Sequence, residues 1–155
     1  MLQLVHASVS SPDMALPEVA LRVDRITLAK RIWRGVAEDG REFGFELETR
    51  LRDGEVVFQA EGARYVVRQI PEAVVAISLD VAPSAAAGIG WAVGNLHLEL
   101  QAEPTRLLAL DEPAVRQLLE RLKVNFTPTT AVFRPGRFAR GEKAAVHELG
   151  PSHKH

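Results

Sequence analysis

The stretch SAAAGIGWAVGNLHLELQ, residues 84–101, organises the second half of the chain. Its first part is almost entirely apolar and predicts a helix that runs to about Val93 and stops at Gly94. From Leu96 onward, leucines alternate with polar residues, which predicts a half-buried strand beginning at His97. The stretch therefore predicts a helix, a short break and a strand that carries a histidine.

The predicted helix has one side made of small residues, since Ala86, Gly90 and Gly94 recur at a spacing of four. A glycine inside a helix costs roughly 1 kcal/mol relative to alanine, so this pattern indicates close packing. We hypothesise that the helix lies at the two-fold axis of a homodimer. An isologous interface would then bring His97 near its own copy.

The remaining elements of this half complete a recognisable order. The near-continuous apolar run 73–79 predicts a strand buried on both faces. The strand 106–110 is followed by apolar residues at helical spacing, which predict a second helix. Pro128 limits the last extended run to a sheet edge or a bent strand. The order is β, α, β, β, α, β, which is typical of a ferredoxin-like domain. Its other elements are the strands 73–79 and 106–110, a helix capped by Asp111 with Val115, Leu118, Leu119 and Leu122 in its stripe, and the extended run 124–133.

The first half of the chain carries a β signal. Turn dipeptides at Asp39-Gly40, Asp53-Gly54 and Glu61-Gly62 separate short alternating runs, which predicts a small antiparallel β sandwich or barrel. Residues 1–20 are expected to form a loose arm, and Leu21 to Leu28 a first extended stretch. We therefore predict three parts: an N-terminal β domain at 1–71, a ferredoxin-like domain at 72–138, and a flexible histidine-bearing tail at 139–155.

Composition excludes several classes of function. The formal net charge is -1, which argues against a nucleic-acid or membrane surface that acts through bulk charge. The absence of cysteine excludes disulfides, thiolate metal sites and a cysteine nucleophile, and it fits a cytoplasmic protein. No catalytic set of nucleophile and base is present, so we expect no enzyme activity.

Histidine is the remaining candidate for chemistry, because neutral imidazole is a good ligand for nickel, copper and zinc. His97 is either a metal ligand or a hydrogen-bonded structural residue, and an isolated histidine does not decide between the two. The tail adds His147, His153 and His155. Those histidines are either further metal ligands or a chance cluster or cloning remnant.

Three short motifs resemble the UreE family of urease accessory proteins. They are Arg41-Glu42-Phe43-Gly44, the turn 51–55 (LRDGE), and above all Gly94-Asn95-Leu96-His97 after an apolar helix. The order of elements and the histidine-bearing tail agree with the same family, and the resemblance extends from about Thr27 to the end of the chain.

The resemblance implies a nickel-delivery metallochaperone with an N-terminal domain that engages partners. It implies a homodimer that works with the urease apoprotein and the other accessory proteins, including the GTPase. It also implies that His97 is the nickel ligand shared across the dimer interface. Zinc or copper could compete for such a site, and no nucleic acid or membrane is implied as a partner.

The chain departs from the family pattern at three places. Leu96 stands where arginine is common, Asp111 to Pro113 replace one or two histidines, and the tail is short. These departures leave the His97 site standing and affect only auxiliary sites. The alternative function is a metal-free protein–protein adaptor on the same fold.

Overall fold

A computed structural model describes residues 1–60, 62–139 and 146–148, with the backbone alone at 137–139 and 146–148. The chain divides into two compact units, Met1–Ile70 and a second that begins at Pro71. Each unit is considered by itself below. As a whole the chain is a mixed, sheet-rich α+β protein, as the sequence predicted.

The first unit contains two three-stranded sheets. Their strand orders are β1-β4-β3 and β2-β6-β5. The core between the strands is aromatic, since Trp33 stacks on Phe45 at a centroid distance of 4.0 Å and both rings are buried. The elements are β1 (Leu2–Val5), β2 (Glu18–Val23), α1 (Arg25–Leu28), β3 (Ile32–Val36), β4 (Glu42–Glu46), β5 (Val56–Ala60) and β6 (Ala63–Gln69).

The predicted hairpins are present. β3 and β4 pair antiparallel around Asp39-Gly40, with Val36 opposite Glu42. Gly40 has a φ of 90°, a conformation that glycine adopts without the steric cost of a Cβ. β5 and β6 likewise pair antiparallel, with Ala60 opposite Ala63.

Three predictions for the first unit were wrong. The sheets were expected to be antiparallel but are mixed, because β1 pairs in parallel with β4 and β2 with β6. Part of the expected loose arm is strand β1, which pairs in parallel with β4. The expected extended stretch ends at Val23, and helix α1 follows it. Asp24 caps that helix, because its Oδ1 accepts the Thr27 N–H at 2.8 Å. The same hydrogen bond is the main reason that the pKa of Asp24 lies below its ordinary value.

The second unit is built around a four-stranded antiparallel sheet with two helices. The strand order is β10-β7-β9-β8. Its elements are β7 (Glu72–Ser78), α2 (Pro83–Asn95), β8 (Gln101–Ala102), β9 (Arg106–Leu110), α3 (Pro113–Arg121) and β10 (Thr127–Ala131). β10 lies at an edge, as Pro128 predicted. No helix among the described residues has the length and apolar character needed to cross a membrane.

The two faces of this sheet are covered differently. On one face, the strands and both helices form a common core that includes Ile77, Ile89, Val93 and Leu119. On the other face, Phe133 is fully buried against Val74 and Leu108 without any helix in the cluster. The side chains of neighbouring positions on β7 and β9 therefore reach two separate hydrophobic clusters.

Three local predictions in this unit were wrong. Helix α2 does not stop at Gly94 but continues to Asn95, and the strand expected at 96–101 is reduced to β8. The N-cap of α3 is Glu112, not Asp111. The Asp111 carboxylate instead accepts two hydrogen bonds from Arg116, at 2.6 and 2.9 Å.

Candidate metal centre at the end of helix α2

His97 lies in the turn that ends helix α2, where two backbone hydrogen bonds close a Schellman motif. The N–H of His97 donates to the carbonyl of Gly94 at 2.9 Å, and the N–H of Leu98 donates to the carbonyl of Val93 at 3.2 Å. These bonds satisfy two of the carbonyls that a helix leaves open at its C-terminus. His97 occupies the position of the motif that usually holds glycine.

The backbone of His97 is correspondingly unusual. Its φ is 56°, in the left-handed region that costs a non-glycine residue free energy. The conformation directs the chain away from the strand geometry that the alternating leucines predicted. It also leaves the imidazole exposed, beyond the end of the helix. The structure thus places His97, the predicted metal ligand, in the C-terminal cap of helix α2.

The outward side of helix α2 is apolar. Trp91 is 70% exposed, and Leu96 and Val81 at either end of the helix are 45% and 43% exposed. A Cβ at Gly88 or Gly94 would meet nothing within 4 Å, whereas one at Gly90 would contact Leu100 at 3.8 Å. The small residues of the helix therefore do not all face one side. Trp91, six residues before His97, is the most exposed large apolar side chain of helix α2.

The other predicted ligands are not brought together with His97 by the described residues. His147 lies on strand β12 (Val146–Glu148), which pairs antiparallel with β11 (Arg137–Ala139) and places His147 opposite Phe138. His153 and His155 lie outside the described residues, as does most of the segment 139–155 predicted as a flexible tail. Among the side chains that are described, no three acidic or histidine groups converge to form a metal site.

The sequence interpretation passed over one further histidine in the body of the chain. The Nδ1 of His6 lies 3.2 Å from the carbonyl oxygen of Glu46, and the side chain is exposed. This histidine belongs to the first unit and follows strand β1. No role was assigned to it from the sequence, in which residues 1–20 were expected to form a loose arm.

Comparison with known proteins gives the class to which this chain belongs. Residues 72–155 match the family model described as the UreE urease accessory protein, C-terminal domain. The chain is 34% identical over 125 residues to the urease accessory protein UreE of Rhodobacter capsulatus, covering 79% of this chain and 77% of that one. It is 29% identical over 145 residues to UreE of Geobacillus kaustophilus, covering 89% and 91%.

The family is one of accessory proteins to urease and not of urease itself. The chain belongs to the UreE family.

Proposed function

We propose that the protein is a urease accessory metallochaperone that binds nickel at a homodimer interface and delivers it for assembly of the urease active site. The observation that carries the proposal is the exposed imidazole of His97, held at a strained cap beside an exposed apolar helix face. Strained backbone persists where the surrounding structure requires it, and such positions cluster at functional sites.

The apolar face supports a second copy of the chain as the occupant beside His97. A single imidazole cannot hold a transition metal, and the described side chains of one protomer form no cluster of three possible ligands. Two copies of α2 packed about a two-fold axis would cover Trp91 and bring two His97 side chains together. His147, His153 and His155 are then candidates to complete the coordination. Zinc and copper are the expected competitors, because imidazole also suits both ions.

The wider arrangement follows the same proposal. Residues 1–71 form a partner-binding β domain, 72–138 a ferredoxin-like metal-binding domain, and 139–155 a ligand-bearing tail. The β10-β7-β9-β8 order and the βαββαβ sequence of elements support the ferredoxin-like description. The expected partners are the urease apoprotein and the other accessory proteins, including the GTPase, in the cytoplasm. The protein carries metal and has no catalytic turnover of its own.

Calorimetric titration with nickel tests the proposal. Wild type should bind one tight ion per dimer, and His97→Ala should lose that ion while keeping the fold. His6→Ala is the matched control, because His6 is the other histidine in the described body of the chain and lies in the first unit. Affinity should fall in acid, since coordination requires neutral imidazole and protons then compete with the metal.

Two results would count against nickel delivery. If His97→Ala retains the tight ion, His97 is not the shared ligand. If wild type binds no nickel but captures the urease apoprotein, the chain is a metal-free adaptor on the same fold.

A further inference from the structure

A strap, defined here as residues 132–136, crosses the helix-free face of the second unit's sheet. It begins after β10 at one edge, and Phe133 is fully buried against Val74 of β7 and Leu108 of β9. The backbone N–H of Arg134 then donates to the side-chain oxygen of Gln101 on β8, at 2.7 Å. Because β8 is the opposite edge strand, the strap spans the whole width of the sheet.

The backbone of the strap is too short to reach β8 by itself, and the side chain of Gln101 closes the gap. Three gaps between neighbouring strands amount to about 14 Å. The three residue-to-residue steps from Ala131 to Arg134 cover only about 10 Å when the chain is extended. The side chain of Gln101 extends from β8 over the remaining distance, and its amide oxygen accepts the hydrogen bond from the strap.

Gln101 is itself held in place. Gln101 is only 5% exposed, and its Nε2 donates a hydrogen bond to the Glu103 carboxylate at 3.2 Å. Glu103 in turn accepts a hydrogen bond from Arg106 at 2.7 Å. Both ends of the buried amide are therefore satisfied, with the oxygen directed toward the strap. Losing one end would leave a buried polar group unpaired, which is costly.

The strap ends next to the loop that carries His97. The N–H of Gly136 donates to the carbonyl of Leu100 at 2.8 Å, and Gly136 has a φ of 79° in the turn that starts β11. β11 lies alongside β8 and pairs with β12, on which His147 is opposite Phe138. The segment that bears the C-terminal histidines is thus attached three residues beyond His97.

We infer that Gln101 is a positioning residue that anchors the strap and the β11–β12 pair to the loop of His97, and so fixes where His147 is placed relative to the metal proposed to bind there. The inference rests on the proposed nickel function and adds the route by which the tail reaches the site. Gln101 makes no contact with metal itself. It acts by fixing where the tail begins.

The anchoring is tested first without metal, by electron–electron double resonance between two spin labels. The chain has no cysteine, so Asn95→Cys and Glu148→Cys provide a unique pair, diluted with unlabelled protein to isolate distances within one chain. Wild type should give a narrow distribution. Gln101→Met, which keeps the length of the side chain but removes the acceptor, should broaden and lengthen it.

Two control variants separate anchoring from general damage. Glu103→Gln retains the acceptor for the Gln101 amide and should leave the distribution unchanged. The exchange Gln101→Glu with Glu103→Gln keeps the net charge and an acceptor for Arg134, and it should restore the narrow distribution. A Gln101→Met protein with the wild-type distribution would overturn the anchoring.

The coupling to metal is tested by nickel titration of the same full-length variants. Gln101→Met should weaken the tight site about tenfold, within the usual range of coupling between sites. Truncation after Arg140 should weaken it equally, and the two changes together should weaken it no further. A broadened distance distribution with unchanged nickel affinity would overturn the positioning role. Failure of wild type to bind nickel would overturn the proposed function, while the distance measurement would still report on the anchor.

Discussion

Helices α2 and α3 end in the same way but are built differently. Both close with a Schellman motif that places a non-glycine residue at a φ of 56°, His97 in one and Lys123 in the other. Helix α3 buries Val115, Leu118 and Leu119 and turns a polar face to solvent.

Helix α2 shows no such division, because its thirteen residues include no charged residue and its outward side is apolar. Only Ile89 and Val93 are buried in it, while Trp91 remains exposed. The packing of α3 is complete within its own unit, whereas α2 presents a second apolar surface. The contrast shows that a cap conformation alone does not mark a site. The surface beside the cap distinguishes His97 from Lys123.

The largest expected effect on stability comes from replacing one large apolar residue of each helix by alanine. Leu119→Ala removes a fully buried side chain from α3 and should lower the free energy of unfolding by about 3 kcal/mol. Trp91→Ala should change the stability of the isolated protomer by less than about 0.5 kcal/mol. It should instead shift sedimentation from dimer to monomer.

Urea denaturation at several protein concentrations separates the two effects, because only a dimer has a concentration-dependent midpoint. Leu122→Ala is the matched control, since this side chain on α3 is also partly exposed. A Trp91→Ala protein that sediments as wild type would show that the apolar face of α2 is not the dimer surface.

A smaller effect is expected at the two caps. His97→Gly and Lys123→Gly should each raise the unfolding free energy of the metal-free protein by about 0.5–1 kcal/mol. Glycine relieves the strain of a positive φ, although its greater freedom in the unfolded chain offsets part of the gain. Only His97→Gly should also abolish tight nickel binding. Equal nickel affinity in the two variants would remove the functional distinction between the caps.

The smallest expected effect is a change in the free energy of unfolding with pH. The hydrogen bonds from Arg116 hold the pKa of Asp111, at the start of α3, below its ordinary value of 3.8. A carboxyl group with a lowered folded pKa contributes stability above its unfolded pKa and loses it as the pH falls through the folded value. Asp111→Asn should therefore be less stable than wild type at pH 7, and the two should converge in acid.

Arg116→Gln provides the matching half of that test, since it removes the same pair from the other side. Combining it with Asp111→Asn should cost no more than Arg116→Gln alone, which also loses the contact of the guanidinium with the Phe126 ring. Additive losses, measured by urea denaturation at pH 7, would mean that the two residues stabilise α3 independently. Helix α2, which has no charged residue, offers no counterpart to this pair.

The sequence predicted those elements whose signals are local. The Asp39-Gly40 turn specified the β3–β4 hairpin, and Val115, Leu118 and Leu119 of the predicted stripe form the buried face of α3. Leu122, which was predicted to belong to that stripe, is the C-cap and is 42% exposed. Strand β1 was missed because its partner, β4, is distant in the sequence and a parallel pair has no turn between its strands. Helix α1 could have been found, since Asp24 followed by Thr27 forms a cap, but four residues carry almost no periodicity.

The structure agrees with the sequence that His97 follows an apolar helix, but the alternating leucines after it were wrongly predicted to form a strand. The role of His97 as a metal ligand stays a prediction. A left-handed turn at a histidine has no signal in sequence, because glycine is the residue expected there. Gln101 was counted as a polar, outward position of that strand. Its burial depends on the strap, in which Arg134 lies 33 residues further along the chain.

The two parallel ladders of the first unit also bear on the order in which it can fold. Leu2 pairs with Glu42 in one ladder, and Glu18 pairs with Arg64 in the other. Local hairpins such as β3–β4 form within microseconds, whereas pairs of distant segments must wait for a long loop to close. During synthesis on the ribosome, β1 emerges well before its partner and remains an unpaired strand until β4 is available. The strand made earliest in this unit is therefore among the last to be placed, and the exposed edge of a finished hairpin is the template that receives it.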